Sequence, residues 1–288
     1  MISKTSTDYA GCLREAAQRL GRAGIEEARL EARLLMLAAS GLTAAGLISA
    51  ERDEVPPGIA ARFEAMIAER ETRRPLQHIV GTVCFYGLDL LCDDRALIPR
   101  PDSEIVVEAA LALLPEDRPV RVADLGTGSG CLLAALLSAR PLASGEGVEA
   151  SHEAAALARE NLAGLGLDPR AGIFDGSWTE WEGWPAADLI ISNPPYIASA
   201  GIATLAPEVR AHDPLAALDG GADGLDAYRE IVSLAAAGMK PGAALVFEIG
   251  HDQKDAVCRL MSGAGFSAIG TAQDLGGNDR AVWGLKQG

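Results

Sequence analysis

Apolar positions follow a helical period in the first quarter of the chain and give way to strand-like runs beyond it. Tyr9, Cys12, Leu13, Ala16, Ala17 and Leu20 recur at three- and four-residue spacing, which predicts a helix ended by Gly21 to Gly24. A second helix is expected over residues 26–39, stopped by Gly41. Residues 34–50 carry no charge, but the run is short for a membrane span and is broken at Ser40-Gly41 and Gly46. It reads as buried helix, turn and short helix. Pro56-Pro57 opens a third long helix, with Ile59, Phe63, Met66 and Ile67 on one face. Residues 1–74 are therefore expected to form a small helical bundle.

Pro75 breaks that pattern. Residues 79–91 (IVGTVCFYGLDLL) are rich in β-branched and aromatic side chains around Gly81 and Gly87, which predicts a hairpin. Residues 75–98 are read as a hairpin linker, and Asp102 or Ser103 as a cap for the helix that follows. From there strands alternate with helices. Strands are expected near 120–124, 146–149, 170–174, 187–192 and 243–249, and helices near 129–140, 152–164, 224–239 and 252–263. That rhythm predicts an α/β domain over 99–288: a mostly parallel sheet with helices on both faces. The segments 266–271 and 280–286 flank a Gly-Gly-Asn turn at 276–278 and complete seven strands as an antiparallel hairpin.

Composition narrows the class. Of 288 residues, 49% are hydrophobic and 23% charged, which excludes a disordered chain. The formal net charge is −15 and is unevenly placed. Residues 1–74 hold 11 basic and 11 acidic side chains, whereas 75–288 hold 14 basic and 29 acidic. A domain that acidic is a poor match for a phosphate backbone, so no stable nucleic-acid binding is expected. The five cysteines (Cys12, Cys84, Cys92, Cys131, Cys258) are scattered without a Cys-x-x-Cys pair. They imply reduced thiols in a cytoplasmic protein and no metal site. The first twenty residues lack the apolar run of a signal peptide, and no membrane association is expected.

Three clusters suggest chemistry. Asp124-Leu125-Gly126-Thr127-Gly128-Ser129-Gly130 follows a strand and opens a helix. Its Gly-x-Gly-x-Gly spacing differs from the dinucleotide fingerprint. With an acid two residues ahead, it suits a nucleoside ligand without pyrophosphate better than a plain strand–helix turn. Glu149 ends the next strand, where an acid commonly binds ribose hydroxyls. Asn193-Pro194-Pro195-Tyr196 follows the fourth strand. Two prolines fix the backbone and remove two donors, so the local carbonyls are left as acceptors. With the Asn193 side-chain carbonyl and the Tyr196 ring, the cluster matches a planar –NH2 group. His152, His212 and His251 need no role.

These motifs resemble the signatures of class I (Rossmann-like) S-adenosylmethionine-dependent methyltransferases that modify planar nitrogens. Asn-Pro-Pro-Tyr is shared with adenine-N6 DNA methyltransferases and cannot choose the substrate. More specific is Leu97-Ile98-Pro99-Arg100-Pro101-Asp102-Ser103-Glu104, which resembles the segment before the catalytic domain of the protein-(glutamine-N5) methyltransferases acting on peptide chain release factors. Gly176-Ser177-Trp178, Glu208-Val209-Arg210, residues 213–218 (DPLAAL) and Asn278-Asp279-Arg280 match as well. The strand-two acid, usually Asp, is Glu149 here, and the usual Glu before Pro214 is Asp213.

The resemblance implies that S-adenosyl-L-methionine is held by Asp124, Gly126, Thr127, Gly128, Ser129, Gly130, Glu149, Ser177, Trp178 and Asn193. It implies that Asn193, Pro194, Pro195 and Tyr196 bind the target amide, with Asn193, Pro194 and Tyr196 catalytic. The expected substrate is the glutamine of a release-factor Gly-Gly-Gln motif, and the expected state is a monomer. A ribosomal-protein glutamine and, at greater remove, an adenine amino group are the alternatives.

Overall fold

The computed structural model describes residues 7–288; the first six, part of the stretch read above as carrying no leader, lie outside them. The chain divides into two units, one holding residues up to Gly81 together with Ala206–His212, the other Thr82–Leu205 and Asp213–Gly288.

The first unit is helical. In α1 (Tyr9–Arg22) the Asp8 carboxylate accepts from the Gly11 N–H at 2.7 Å, satisfying one of the orphan donors of the first turn. Helix α2 (Ala28–Ser40) ends at Gly41 with φ of 71°, a left-handed cap that glycine adopts without steric cost. The short α3 (Ala44–Ser49) is capped by Thr43, and α4 (Pro57–Glu71) starts on a proline whose missing N–H is no loss there. A further turn, α5 (Leu76–Val80), closes on Gly81. Leu20, Leu35, Met36 and Ile67 are wholly buried between these helices. The short α9 (Pro207–His212) joins this unit from later in the chain. Its Glu208 accepts from Arg70 at 3.1 Å and from Arg73 at 2.8 Å, and Arg70, itself buried, also pairs with Glu31.

The second unit begins with strands β1 (Thr82–Phe85) and β2 (Leu88–Leu91), paired antiparallel through a two-residue turn. Tyr86 and Gly87 both take positive φ there, the backbone that matches the twist of a tight hairpin. The expected hairpin is thus present but starts later than the composition suggested. Ile79 and Val80 belong to α5, because Pro75 presets the entry to a helical turn and Gly81 ends it.

The main sheet follows α6 (Glu104–Leu113). It is built from β3 (Val120–Leu125), α7 (Cys131–Ala139), β4 (Ala143–Glu149), α8 (His152–Gly164), β5 (Ala171–Asp175), β6 (Leu189–Ser192), α10 (Asp226–Gly238), β7 (Ala244–Glu248), α11 (Lys254–Gly263), β8 (Phe266–Gln273) and β9 (Asp279–Lys286). The seven strands lie in the order β5-β4-β3-β6-β7-β9-β8. The first five are parallel, and β9 runs antiparallel to both β7 and β8. The expected mostly parallel seven-stranded sheet with a C-terminal antiparallel hairpin is what the chain forms.

Neither Asp102 nor Ser103 caps α6 through its side chain. Ser103 instead presents its hydroxyl to Glu248. The chain runs outward from β3 to β4 and β5, then returns to place β6 on the other side of β3. The carboxyl ends of β3 and β6 therefore flank the point where the winding reverses, the place where open α/β sheets bind ligands.

Candidate active site

A cavity of about 360 Å³ opens at that point. Its floor is the glycine loop. Gly126, Gly128 and Gly130 have φ of 68°, 55° and 80°, a region that side chains with a Cβ adopt only under strain. Two strand-end bonds hold the loop in place, from Gly126 N–H and Thr127 N–H to the Val148 carbonyl at 2.8 and 3.1 Å. On β4, Gly147 leaves the room the loop needs, since a Cβ there would lie 2.8 Å from Thr127 Cγ2 and 2.7 Å from Ile173 Cδ1.

Gly126, Thr127, Gly128 and Ser129 line the cavity. Gly130 lies beneath it, where a Cβ would come within 3.3 Å of the Ala158 methyl, so the residue sets how closely α7 and α8 approach. Asp124 is also beneath the surface and fully buried. Its Oδ2 accepts from the Thr127 hydroxyl at 2.6 Å, and its Oδ1 makes no hydrogen bond among the described residues. Burial pushes this carboxyl up to about 7, with the Thr127 bond opposing the shift and the Glu149 charge adding to it.

Glu149 lines the cavity with both oxygens already engaged: Oε2 accepts from Gly128 N–H and Oε1 from Ser151 N–H, each at 2.9 Å. A carboxylate has about four acceptor sites, so these bonds fix the group while leaving capacity for two hydroxyls. Trp178 forms part of the wall, and its indole N–H is tied to Glu230 at 2.7 Å. Ser177 does not reach the cavity; its hydroxyl pairs with Thr179 at 2.9 Å.

Strand β6 delivers the fourth element. Ser192 is buried and donates to the Leu125 carbonyl at 2.7 Å, which locks the end of β6 to the end of β3. Asn193 and Pro195 line the cavity, whereas Pro194 is buried and Tyr196 packs partly into the core behind it. Burial, reinforced by the Glu248 charge, pushes the Tyr196 phenol up to about 12, so it stays protonated. Beyond the prolines the backbone is pinned, with Gln253 Nε2 donating to the Tyr196 carbonyl at 2.9 Å and Ile197 N–H to the Leu218 carbonyl at 3.0 Å. Among the described residues no hydrogen bond is donated to the Pro194 carbonyl.

Sequence reasoning assigned no role to three further parts of the site. Residues 95–100 form one wall and Pro214, Ala216 and Ala217 another. Within those segments Arg100 pairs with Asp213 at 3.1 Å, and Asp102 reaches Arg280 at 3.5 Å. Asn161 joins the hairpin to the glycine loop, accepting from Leu91 N–H at 2.7 Å and donating to the Ser129 carbonyl at 2.9 Å. The motifs around Arg100, Asp213 and Arg280 were legible as likeness, but their contacts span more than a hundred residues of sequence and no spacing rule reports them.

The cavity suits the nucleoside-bearing ligand that the resemblance implies. Two left-handed glycines let the backbone approach closely, the anchored Glu149 carboxylate keeps acceptor capacity for hydroxyls, and an indole forms one wall. Among the described residues no group of His, Cys, Asp and Glu is arranged to hold a metal ion.

Two family models match the chain. Residues 12–81 match the family model described as the PrmC N-terminal domain, and residues 105–209 match the methyltransferase small domain. The chain is 42% identical to the release factor glutamine methyltransferase of Caulobacter vibrioides over 94% of each chain. It is 44% identical to the protein of the same name from Cereibacter sphaeroides over 95% of this chain and 96% of that one. A methyltransferase structure from Pyrococcus furiosus superposes with a TM-score of 0.53, covering 70% of this chain and 91% of that one at 16% identity, a likeness of fold.

Proposed function

Because the chain belongs to the release factor glutamine methyltransferases, we propose that it transfers a methyl group from S-adenosyl-L-methionine to the side-chain amide nitrogen of the glutamine in a release-factor Gly-Gly-Gln motif. The single observation that carries this reading is the pinned Asn193–Tyr196 corner, where Asn193 and Pro195 line the cavity, two backbone donors are removed and the Pro194 carbonyl accepts no hydrogen bond among the described residues. Bound in the cavity, S-adenosylmethionine supplies an electrophilic methyl group carried by a sulfonium.

The protein's task is orientation. An amide nitrogen is a weak nucleophile because its lone pair is delocalised into the carbonyl. Asn193 Oδ1 and the Pro194 carbonyl accept the two amide N–H bonds, and the Tyr196 ring packs beside the amide plane. With the –NH2 held on both hydrogens, its lone pair points along one direction, into the cavity. Orientation of this kind supplies ~7–11 kcal/mol of barrier lowering. The methylated amide nitrogen, strongly acidic while it still carries both hydrogens, gives up one proton to water, so no strong base is needed. The glycine loop, Glu149 and Trp178 hold the cofactor, and the helical unit docks the protein substrate. The enzyme works as a cytoplasmic monomer without stable nucleic-acid binding, and no described helix is long and apolar enough to cross a membrane.

Mass spectrometry of a release factor incubated with the protein and S-adenosylmethionine tests this directly. One added methyl on the Gly-Gly-Gln glutamine is expected. Label that appears only on a ribosomal-protein glutamine or on adenine overturns the assignment.

A further inference from the structure

Glu248 ends β7 next to the strand that delivers Asn193. Ser192 is in register with Phe247, so the following residues, Asn193 and Glu248, emerge side by side at the edge of the sheet. The Glu248 side chain is almost wholly buried, and its backbone carbonyl is fixed by the Tyr228 hydroxyl at 2.8 Å. The Ser103 hydroxyl and the Asn193 side-chain amide both face its carboxyl group. Its Oε2 has no hydrogen-bond partner among the described residues. A carboxyl group in this position, behind the proposed substrate contact and with an acceptor to spare, has no part in the mechanism given above.

We propose that Glu248 is a positioning residue whose carboxylate accepts from the Asn193 side-chain NH2 and thereby turns Asn193 Oδ1 toward the substrate amide. The inference rests on the reading that Asn193 Oδ1 receives a substrate N–H. An asparagine amide has two ends of nearly equal size and opposite polarity, and packing alone does not choose between them. A carboxylate chooses, because it accepts hydrogen bonds and cannot donate them. With NH2 drawn to Glu248, the carbonyl end is presented to the cavity. Protonated, Glu248 gains an O–H that can donate to Oδ1, and the flipped amide would then offer donors to a substrate group that itself needs acceptors.

The charged and titratable groups facing the carboxyl are Arg280 of β9, Asp102 ahead of α6, Tyr196 of the proline corner, Tyr228 of α10 and the Cys131 thiol of α7. Arg280 favours the carboxylate, whereas burial and Asp102 favour the acid, and the balance pushes Glu248 up to about 7. The switch in amide orientation therefore falls near neutral pH.

The test is E248Q against wild type, with kcat, KM and binding of S-adenosylhomocysteine measured on an intact release factor between pH 5.5 and 9. Glutamine keeps the shape but supplies a donor. We expect kcat to fall at least tenfold, with cofactor-product affinity within twofold of wild type. We also expect the acidic limb of the wild-type kcat/KM profile near pH 7 to vanish in E248Q and to return in E248D. Wild-type kcat in E248Q, or an unchanged acidic limb, overturns the proposal. If E248Q does not fold, E248D decides: a carboxylate one methylene shorter should retain a shifted acidic limb, and a limb identical to wild type overturns the role. A wild-type enzyme that fails to methylate release factor refutes the parent reading instead, so the two failures are distinguishable.

Discussion

Asn193 and Asp124 show how differently one site uses its polar side chains. Asn193 lines the cavity and in the proposed mechanism serves as an acceptor, so its removal should damage the reaction more than the fold. N193A is expected to lose about 10²–10³ in kcat, the range seen when one oriented hydrogen-bond partner is removed from an active site. Calorimetry should find cofactor binding nearly unchanged, and near-normal turnover would sink the proposed mechanism. Asp124 is below the cavity and carries a burial penalty. Its carboxyl titrates near 3.8 when unfolded and about 7 when folded, so the folded state binds the extra proton between those values. Stability from this group is thus greatest below about pH 4 and is lost as pH rises through 7, by at most about 4 kcal/mol. D124N should raise Tm relative to wild type at pH 8, with the gain shrinking toward pH 4. A gap that widens on acidification would contradict the burial argument.

At the level of elements, the strand β4 matters as much as the loop it supports. Most elements were readable from local pattern because each carries its own signal: helical spacing in residues 9–20, a Gly-x-Gly-x-Gly run after a strand, two prolines after another. Exceptions arise where two signals compete. Ile79 and Val80 have strand propensity, yet Pro75 and Gly81 enclose them in a helical turn. Gly147 gave no motif signal, although it is the residue whose missing side chain admits Thr127. G147A is expected to cost about 1–3 kcal/mol, as overpacking in a tight core does, and to weaken cofactor binding by displacing the glycine loop. Urea unfolding and calorimetry together check it; loss of stability without loss of binding would separate the strand from the loop.

For the whole molecule, the division of charge has a counterpart in the structure. The helical unit contains a near-neutral sequence and recruits Ala206–His212, where Glu208 meets Arg70 and Arg73. A Gly-Gly-Gln tripeptide offers little surface for specificity, so a docking unit should matter for a folded substrate and not for a short one. Removing residues 1–81 is expected to reduce methylation of an intact release factor at least tenfold more than methylation of a Gly-Gly-Gln peptide. Equal losses on the two substrates would refute the docking role.

The sequence by itself determined the helical start, the alternating strands and helices, and the three clusters at strand ends, because each depends on neighbours within a few residues. Only the tertiary structure decided which of those residues share a surface. It placed Glu149 with both oxygens on backbone donors, set Gly130 and Asp124 beneath the cavity, turned Ser177 away, and brought Ser103 and Glu248 behind Asn193. Those relations come from parallel strand order and crossover connections, which join residues far apart in the chain. Hydrogen-bond geometry and burial exist only after that joining.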